Sequence, residues 1–127
     1  MWLYEQISGR LSRADKLLAS GYSGFSEGKN NPARQSEANV GPIPEGAYWI
    51  GPEREETADH GPVVLPLVPV PGTNTFGRSG FLIHGDSIEH PGAASHGCII
   101  LPRPVRELIA SNSQGVGDRL LIVISGA

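Results

Sequence analysis

The sequence predicts a mainly-β fold: a β-sandwich or strongly bent mixed sheet with one short helix. Three observations carry this. The apolar residues fall in short runs rich in β-branched and aromatic side chains, at residues 47–51, 63–70 and 119–125. The chain holds 17 glycines and 11 prolines, so turns recur too often for long helices. Only residues 102–113 show helical spacing, through Val105, Leu108 and Ile109. The 127 residues suffice for one domain, 1–127, around a single core.

Taken in order, residues 2–7 alternate apolar and polar and read as a strand. Ser8-Gly9 turns the chain, and residues 10–13 return as the second arm of a hairpin. Residues 14–19 suit a short helix or a strand, and the closeness of Gly21 and Gly24 favours the strand. Gly21-Tyr22-Ser23-Gly24 reads as a turn with a packed tyrosine. Residues 27–38 are polar and aperiodic, hence a long loop whose Lys29 and Arg34 are expected to be solvated. Residues 41–46 form a rigid turn before an aromatic strand at 47–51. The acidic stretch 52–61, with Glu53, Glu55, Glu56, Asp59 and His60, reads as solvated surface. Pro66 and Pro69 remove ladder donors from residues 63–70, which implies an edge or irregular strand. Residues 80–83 and 98–101 are further strands. Pro104 suits the first turn of the helix, Gly115 and Gly117 end it, and residues 119–125 are a buried strand that closes the sheet.

Composition narrows the function. A formal net charge of −3 gives no basic footprint for nucleic acid or an anionic membrane. No apolar run is long enough for a transmembrane helix, so membrane insertion is not expected. The first residues lack the basic start and apolar stretch of a signal peptide, which suggests a protein made in the cytoplasm without one. One cysteine permits no internal disulfide.

The chemistry concentrates in Phe81-Leu82-Ile83-His84-Gly85-Asp86 and Ser95-His96-Gly97-Cys98-Ile99-Ile100. A lone cysteine in an apolar run is by composition a small buried hydrophobe. Two flanking histidines and glycines at both ends turn that reading toward a nucleophile, because a thiol attacks only as thiolate and needs a base or positive charge nearby. If residues 80–83 and 98–101 are neighbouring strands, His84 and Cys98 face one another. The N–H groups of Gly97 and Cys98 are candidate oxyanion donors. Arg78 suits either a substrate carboxylate or a structural salt bridge. His84, Asp86, His90, His96 and Cys98 also make a possible zinc set, which would give a zinc-dependent peptidase using His84, Asp86 and His96. A non-catalytic binding domain with a structural cysteine is the third class.

His-Gly followed by Ser-His-Gly-Cys-Ile resembles the signature of L,D-transpeptidase (YkuD-like) catalytic domains, cysteine enzymes that rework peptidoglycan stems. Trp2-Leu3-Tyr4-Glu5-Gln6, Gly21-Tyr22-Ser23-Gly24, Asn39-Val40-Gly41-Pro42-Ile43-Pro44-Glu45-Gly46 and Gly77-Arg78-Ser79-Gly80-Phe81 resemble a divergent branch, the type VI secretion L,D-transpeptidase-like effectors. The short segment between His84 and Ser95, and Ile100 where housekeeping enzymes have a polar residue, depart from the crosslinking branch.

The resemblance implies an L,D-transpeptidase-like β-sandwich with the cysteine in a groove. It implies a catalytic set of Cys98, His84, His96, Gly85, Gly97 and Ser95, with Gly85 holding His84 through its carbonyl. Arg78, Tyr22, Ser23 and Asp86 are the implied substrate-binding residues. The implied reaction is acyl transfer through a Cys98 thioester on tetrapeptide stems, giving L,D-carboxypeptidase and D-amino-acid exchange activity, with housekeeping crosslinking the lesser alternative. No cofactor or metal is expected. The implied partners are a diaminopimelate-containing stem, a secretion-system component and a cognate immunity protein, and the implied site of action is the periplasm of target bacteria. Read this way, Cys98 is expected to alkylate faster than a model thiol at neutral pH.

Overall fold

In the computed structural model the described residues are 1–53, 61–112 and 118–126. The chain opens with a three-stranded meander, Trp2–Glu5 (β1), Arg10–Arg13 (β2) and Lys16–Ser20 (β3). Alternation sets its inner face: Trp2, Tyr4 and Leu11 are fully buried. The β2–β3 turn places Ala14 and Asp15 at φ 51° and 61°, the type I′ geometry that usually recruits Asn-Gly. That is why this hairpin has no clear turn signal in the sequence.

The next strands are Tyr22–Ser23 (β4), Gly46–Ile50 (β5), Leu65–Pro69 (β6), Leu82–His84 (β7), Ile99–Ile100 (β8) and Leu120–Ile124 (β9). A single helix among the described residues, Arg103–Asn112 (α1), follows β8. The strand order is β3-β2-β1-β9-β5-β6-β7-β8-β4. Strand β9 runs parallel to β1, with Trp2 opposite Leu121 and Tyr4 opposite Val123, and antiparallel to β5. Strands β7 and β8 are also parallel, so the sheet is mixed.

Strands β3 and β4 stand at opposite ends of this order, yet only Gly21 separates them in the chain. The sheet must therefore curl until its edges meet, which gives a nearly closed fold. Gly21 donates to the Gly9 carbonyl at 2.8 Å, and a Cβ on Gly21 would lie 1.7 Å from the Ile100 carbonyl oxygen. Gly21→Ala is expected to cost about 2–3 kcal/mol, since backbone rather than a flexible side chain must move. Urea unfolding of the variant checks this.

Inside the curl lie Ile43, Tyr48, Ile50, Leu65, Ile83, Ile99, Leu101, Ile109 and Leu121, each no more than 2% exposed. On α1, Val105, Ile109 and Ala110 face this core, while Leu108, expected in the same stripe, is 40% exposed at its rim. Strand β6 corrects the edge alternative for residues 63–70. It is interior, pairing with β5 through residues 67–69 and with β7 through 65 and 66. Pro66 is tolerated because its carbonyl, not an N–H, is used there, accepting from Gly51 N–H at 2.8 Å. The expected loop at 27–38 contains two 3-10 turns, Ser26–Gly28 and Pro32–Arg34, and Arg34 pairs with Glu27 and Glu37 at 2.9 Å. Glu55, Glu56, Asp59, His60, Gly115 and Gly117 lie outside the described residues. No helix among the described residues is long and apolar enough to cross a membrane.

Candidate active site

The parallel pair β7–β8 sets the geometry. Ile83 and Ile99 are in register and both enter the core, and His84 is in register with Ile100. Alternation then puts His84 and Ile100 on the opposite face, and Cys98 lies in the bend two residues before Ile100. The Leu82 N–H reaches the Cys98 sulfur, which sets the thiol beside β7, two residues from His84 in the chain.

His84 is 3% exposed, and its Nδ1 lies 2.8 Å from the Gly85 carbonyl. A carbonyl only accepts, so Nδ1 carries the hydrogen and the lone pair of a neutral ring sits on Nε2. The Cys98 sulfur lies 3.9 Å from the Gly80 carbonyl oxygen. Burial raises the thiol above its ordinary range, and the Leu82 backbone N–H and the Arg78 charge offset this only in part. Burial thus favours the protonated thiol, the direction opposite to the fast alkylation expected from the motif. Iodoacetamide is expected to alkylate Cys98 more slowly than glutathione at pH 7, with a rate still climbing above pH 9. A stopped-time mass assay across pH checks this.

The flanking residues form a scaffold of hydrogen bonds. Ser95 is fully buried: its hydroxyl donates to Cys98 O at 2.6 Å and accepts from Gly24 N–H at 2.9 Å and Gly97 N–H at 3.1 Å. The Gly97 N–H, expected at an oxyanion, is thus engaged by Ser95, and Cys98 N–H is left as the candidate donor from that pair. Ser23 is also fully buried, donating to Gly97 O at 3.1 Å and accepting from Ile43 N–H at 2.8 Å. It props the cysteine loop from behind rather than lining a substrate groove. His96 is exposed, stacked on Phe25 with ring centres 4.9 Å apart, and its Nδ1 lies 3.2 Å from Asn39 O.

Arg78 departs from both expectations. It is 9% exposed, and instead of a carboxylate it meets the carbonyls of Gln35 (2.6 Å), Pro42 (2.8 Å), Gly41 (3.0 Å) and His96 (3.4 Å). It ties the 35–42 segment to the cysteine loop. Gly97 has φ 136°, and a Cβ there would lie 2.4 Å from Arg78 Nη2, so the loop needs glycine on both counts.

Tyr22 and Asp86 close the other flank. Tyr22 donates to Asp86 at 2.6 Å and accepts from Ala94 N–H at 2.9 Å, while Lys29 Nζ lies 4.6 Å above its ring. Burial, then the bond to Asp86, pushes the Tyr22 phenol up to about 12. Burial would raise the Asp86 carboxyl, but bonds from Tyr22, Gly92 and Ser87 outweigh it and hold the group below its usual range. Among the described residues no three His, Cys, Asp or Glu side chains converge as a metal set; the five residues considered for zinc are not brought together.

A family model for the Tlde1 domain matches residues 18–123. The chain belongs to the Tlde1 domain family. This is a family of type VI secretion effectors, L,D-transpeptidase-like in character and acting on peptidoglycan. No curated protein matches the chain.

Two cavities flank the paired strands of this Tlde1 domain. One, of about 340 Å³, is lined by Cys98, His96, Gly97, Arg78, Gly80 and Asn39 among others. The other, of about 640 Å³, is lined by His84, Gly85, Asp86, His90, Arg103 and Arg106 among others. Arg106 was not singled out by the motifs. Its signal was an arginine one turn before Ile109 and Ala110, within the apolar face of α1.

Proposed function

We propose that this Tlde1 domain is a cysteine acyltransferase that acts on peptidoglycan tetrapeptide stems through a Cys98 thioester. The observation that carries this is the parallel pairing of β7 with β8, which brings the loop of Cys98 beside the strand of His84, with Gly85 holding His84 Nδ1 and leaving the lone pair of a neutral ring on Nε2. Starting from the thiol that burial favours, His84 removes its proton as sulfur attacks the carbonyl of the third stem residue. Sulfur–carbon bond formation gives a tetrahedral oxyanion, and Cys98 N–H is the donor assigned to it. The carbon–nitrogen bond to the terminal D-amino acid then breaks, and His84 returns the proton to the departing amine.

Water acting on the thioester regenerates the thiol and yields a tripeptide, which is L,D-carboxypeptidase activity. A free D-amino acid yields exchange, and a second stem would yield a crosslink. Trimming and exchange remove the stems that crosslinking enzymes use, which accounts for toxicity in the periplasm of a target cell. Delivery by a secretion system and neutralisation by an immunity protein follow from the effector family.

Mass spectrometry of purified disaccharide-tetrapeptide, with and without an added D-amino acid, tests the reading. Loss or replacement of terminal D-alanine by the wild type, and a drop of about 10⁴-fold or more for Cys98→Ala, is expected. Turnover that survives in Cys98→Ala would sink it.

A further inference from the structure

The His84-side cavity has a wall that the acyl-transfer reading does not use. Arg106, 6% exposed, is a buried cation that the structure gives no carboxylate partner among the described residues. Its Nε donates to Leu101 O at 2.9 Å and its Nη1 to Pro62 O and Val63 O at 2.6 and 3.1 Å. Its Nη2 has no acceptor among the described residues and lies against Gly85, where a Cβ would come within 2.7 Å. The guanidinium is held rigidly: Val63, which it grips, is a β-branched residue at φ 59°, a conformation that persists only where the surroundings enforce it. Arg103 lines the same cavity, with its Nε on Glu107 at 3.0 Å. Among the described residues the acids facing this space are Asp86, already held by Tyr22, Ser87 and Gly92, and the exposed Glu89; His90 is also exposed there.

A buried guanidinium that meets only carbonyls among the described residues is costly until an anion meets it. The reaction supplies one. The departing amine must lie at His84 to take a proton, and a terminal amino acid placed there carries its free α-carboxylate into the same cavity. We propose that this cavity seats the terminal amino acid of the stem, its amine toward His84, and that Arg106 Nη2, seconded by Arg103, holds its α-carboxylate.

The assignment rests on the acyl-transfer reading and deepens it. The same seat takes the incoming amino acid during exchange: its nitrogen bonds to the thioester carbon, the carbon–sulfur bond breaks, and the amine proton passes through His84 to sulfur. Leaving group and acceptor therefore both need a free α-carboxylate. A lysine would keep the charge but lose the fork that grips Leu101, Pro62 and Val63 while aiming Nη2 at the cavity, so it would serve less well.

The test compares disaccharide-tetrapeptide ending in D-alanine with the same compound ending in D-alaninamide. Wild type is expected to lose at least about tenfold in kcat/KM on the amide. Arg103→Gln, at an exposed position, and Arg106→Lys should narrow that ratio by acting on the acid substrate alone. Equal turnover of acid and amide by wild type overturns the carboxylate seat and leaves the thioester reading intact. Turnover of neither removes the thioester reading. In that case NMR titration of Cys98→Ala with D-alanine and with D-alaninamide decides the seat alone. Movement of the His84 ring signals with the acid only supports it, and no difference between the two refutes it.

Discussion

Arg78→Met will lower the stability of this domain by about 3 kcal/mol, a fall in Tm on the order of 10 °C at this chain length. The substitution removes the donors that meet four carbonyls, those of Gln35, Gly41, Pro42 and His96. Each charge-assisted bond is worth about 1.5–3 kcal/mol, and the recovered desolvation of the guanidinium offsets only part of the loss. The variant will also lose turnover. Arg78 contributes a favourable charge to the Cys98 thiolate, so its removal moves the thiol further up, and the loop carrying Cys98 loosens at the same time. Thermal unfolding reads the first effect and the pH profile of Cys98 alkylation the second. Arg78→Lys separates them. It keeps the charge but not the fork, so it should restore the alkylation profile more fully than the stability. Alkylation of Arg78→Met at or below the wild-type pH would contradict the electrostatic part.

His84→Ala will cut turnover by about 10²–10⁴-fold, the usual contribution of a positioned general base. His84→Ala leaves the Leu82 N–H and the Arg78 charge beside the Cys98 thiol, so iodoacetamide alkylation above pH 9 should change little. A thiolate–imidazolium pair would behave otherwise, with alkylation collapsing together with turnover. Steady-state kinetics of stem trimming beside the alkylation rate of the same preparation distinguishes the two. His96→Ala, altering a ring stacked on Phe25, should affect turnover far less.

Much of this fold is legible because its signals are local. The alternation in Trp2-Leu3-Tyr4-Glu5 and the Ser8-Gly9 turn announce the first hairpin, and the aliphatic run at the chain's end announces β9. The partner of β9 is not legible, since the parallel pairing with β1 is a long-range choice that local pattern cannot express. Two-residue strands such as β4 and β8 are too short to carry a period. The interior place of β6 was hidden by Pro66, whose missing N–H is harmless there. At the site, the residue types around Cys98 and His84 were visible as a motif. The tasks of their neighbours were not. Ser23 looks like a groove residue but is a buried strut, and Arg78 looks like a ligand for carboxylates but is spent on carbonyls. Those tasks depend on where the backbone returns, and only the folded chain shows it.

The position of β9 governs the order in which the molecule can be built. Lying between β1 and β5, it joins a half comprising β1 to β3 with a half comprising β5 to β8 and β4. A chain emerging from the ribosome amino end first can fold its leading meander at once. The two halves remain separate, each presenting an unpaired strand edge, until residues 120–124 arrive. The last step closes contacts between opposite ends of the chain, the kind that makes folding slow. Cys98 and His84 therefore lie in a half that becomes part of one body only once residues 120–124 have been made, so a ribosome-stalled chain ending before residue 120 should be inactive and prone to aggregate.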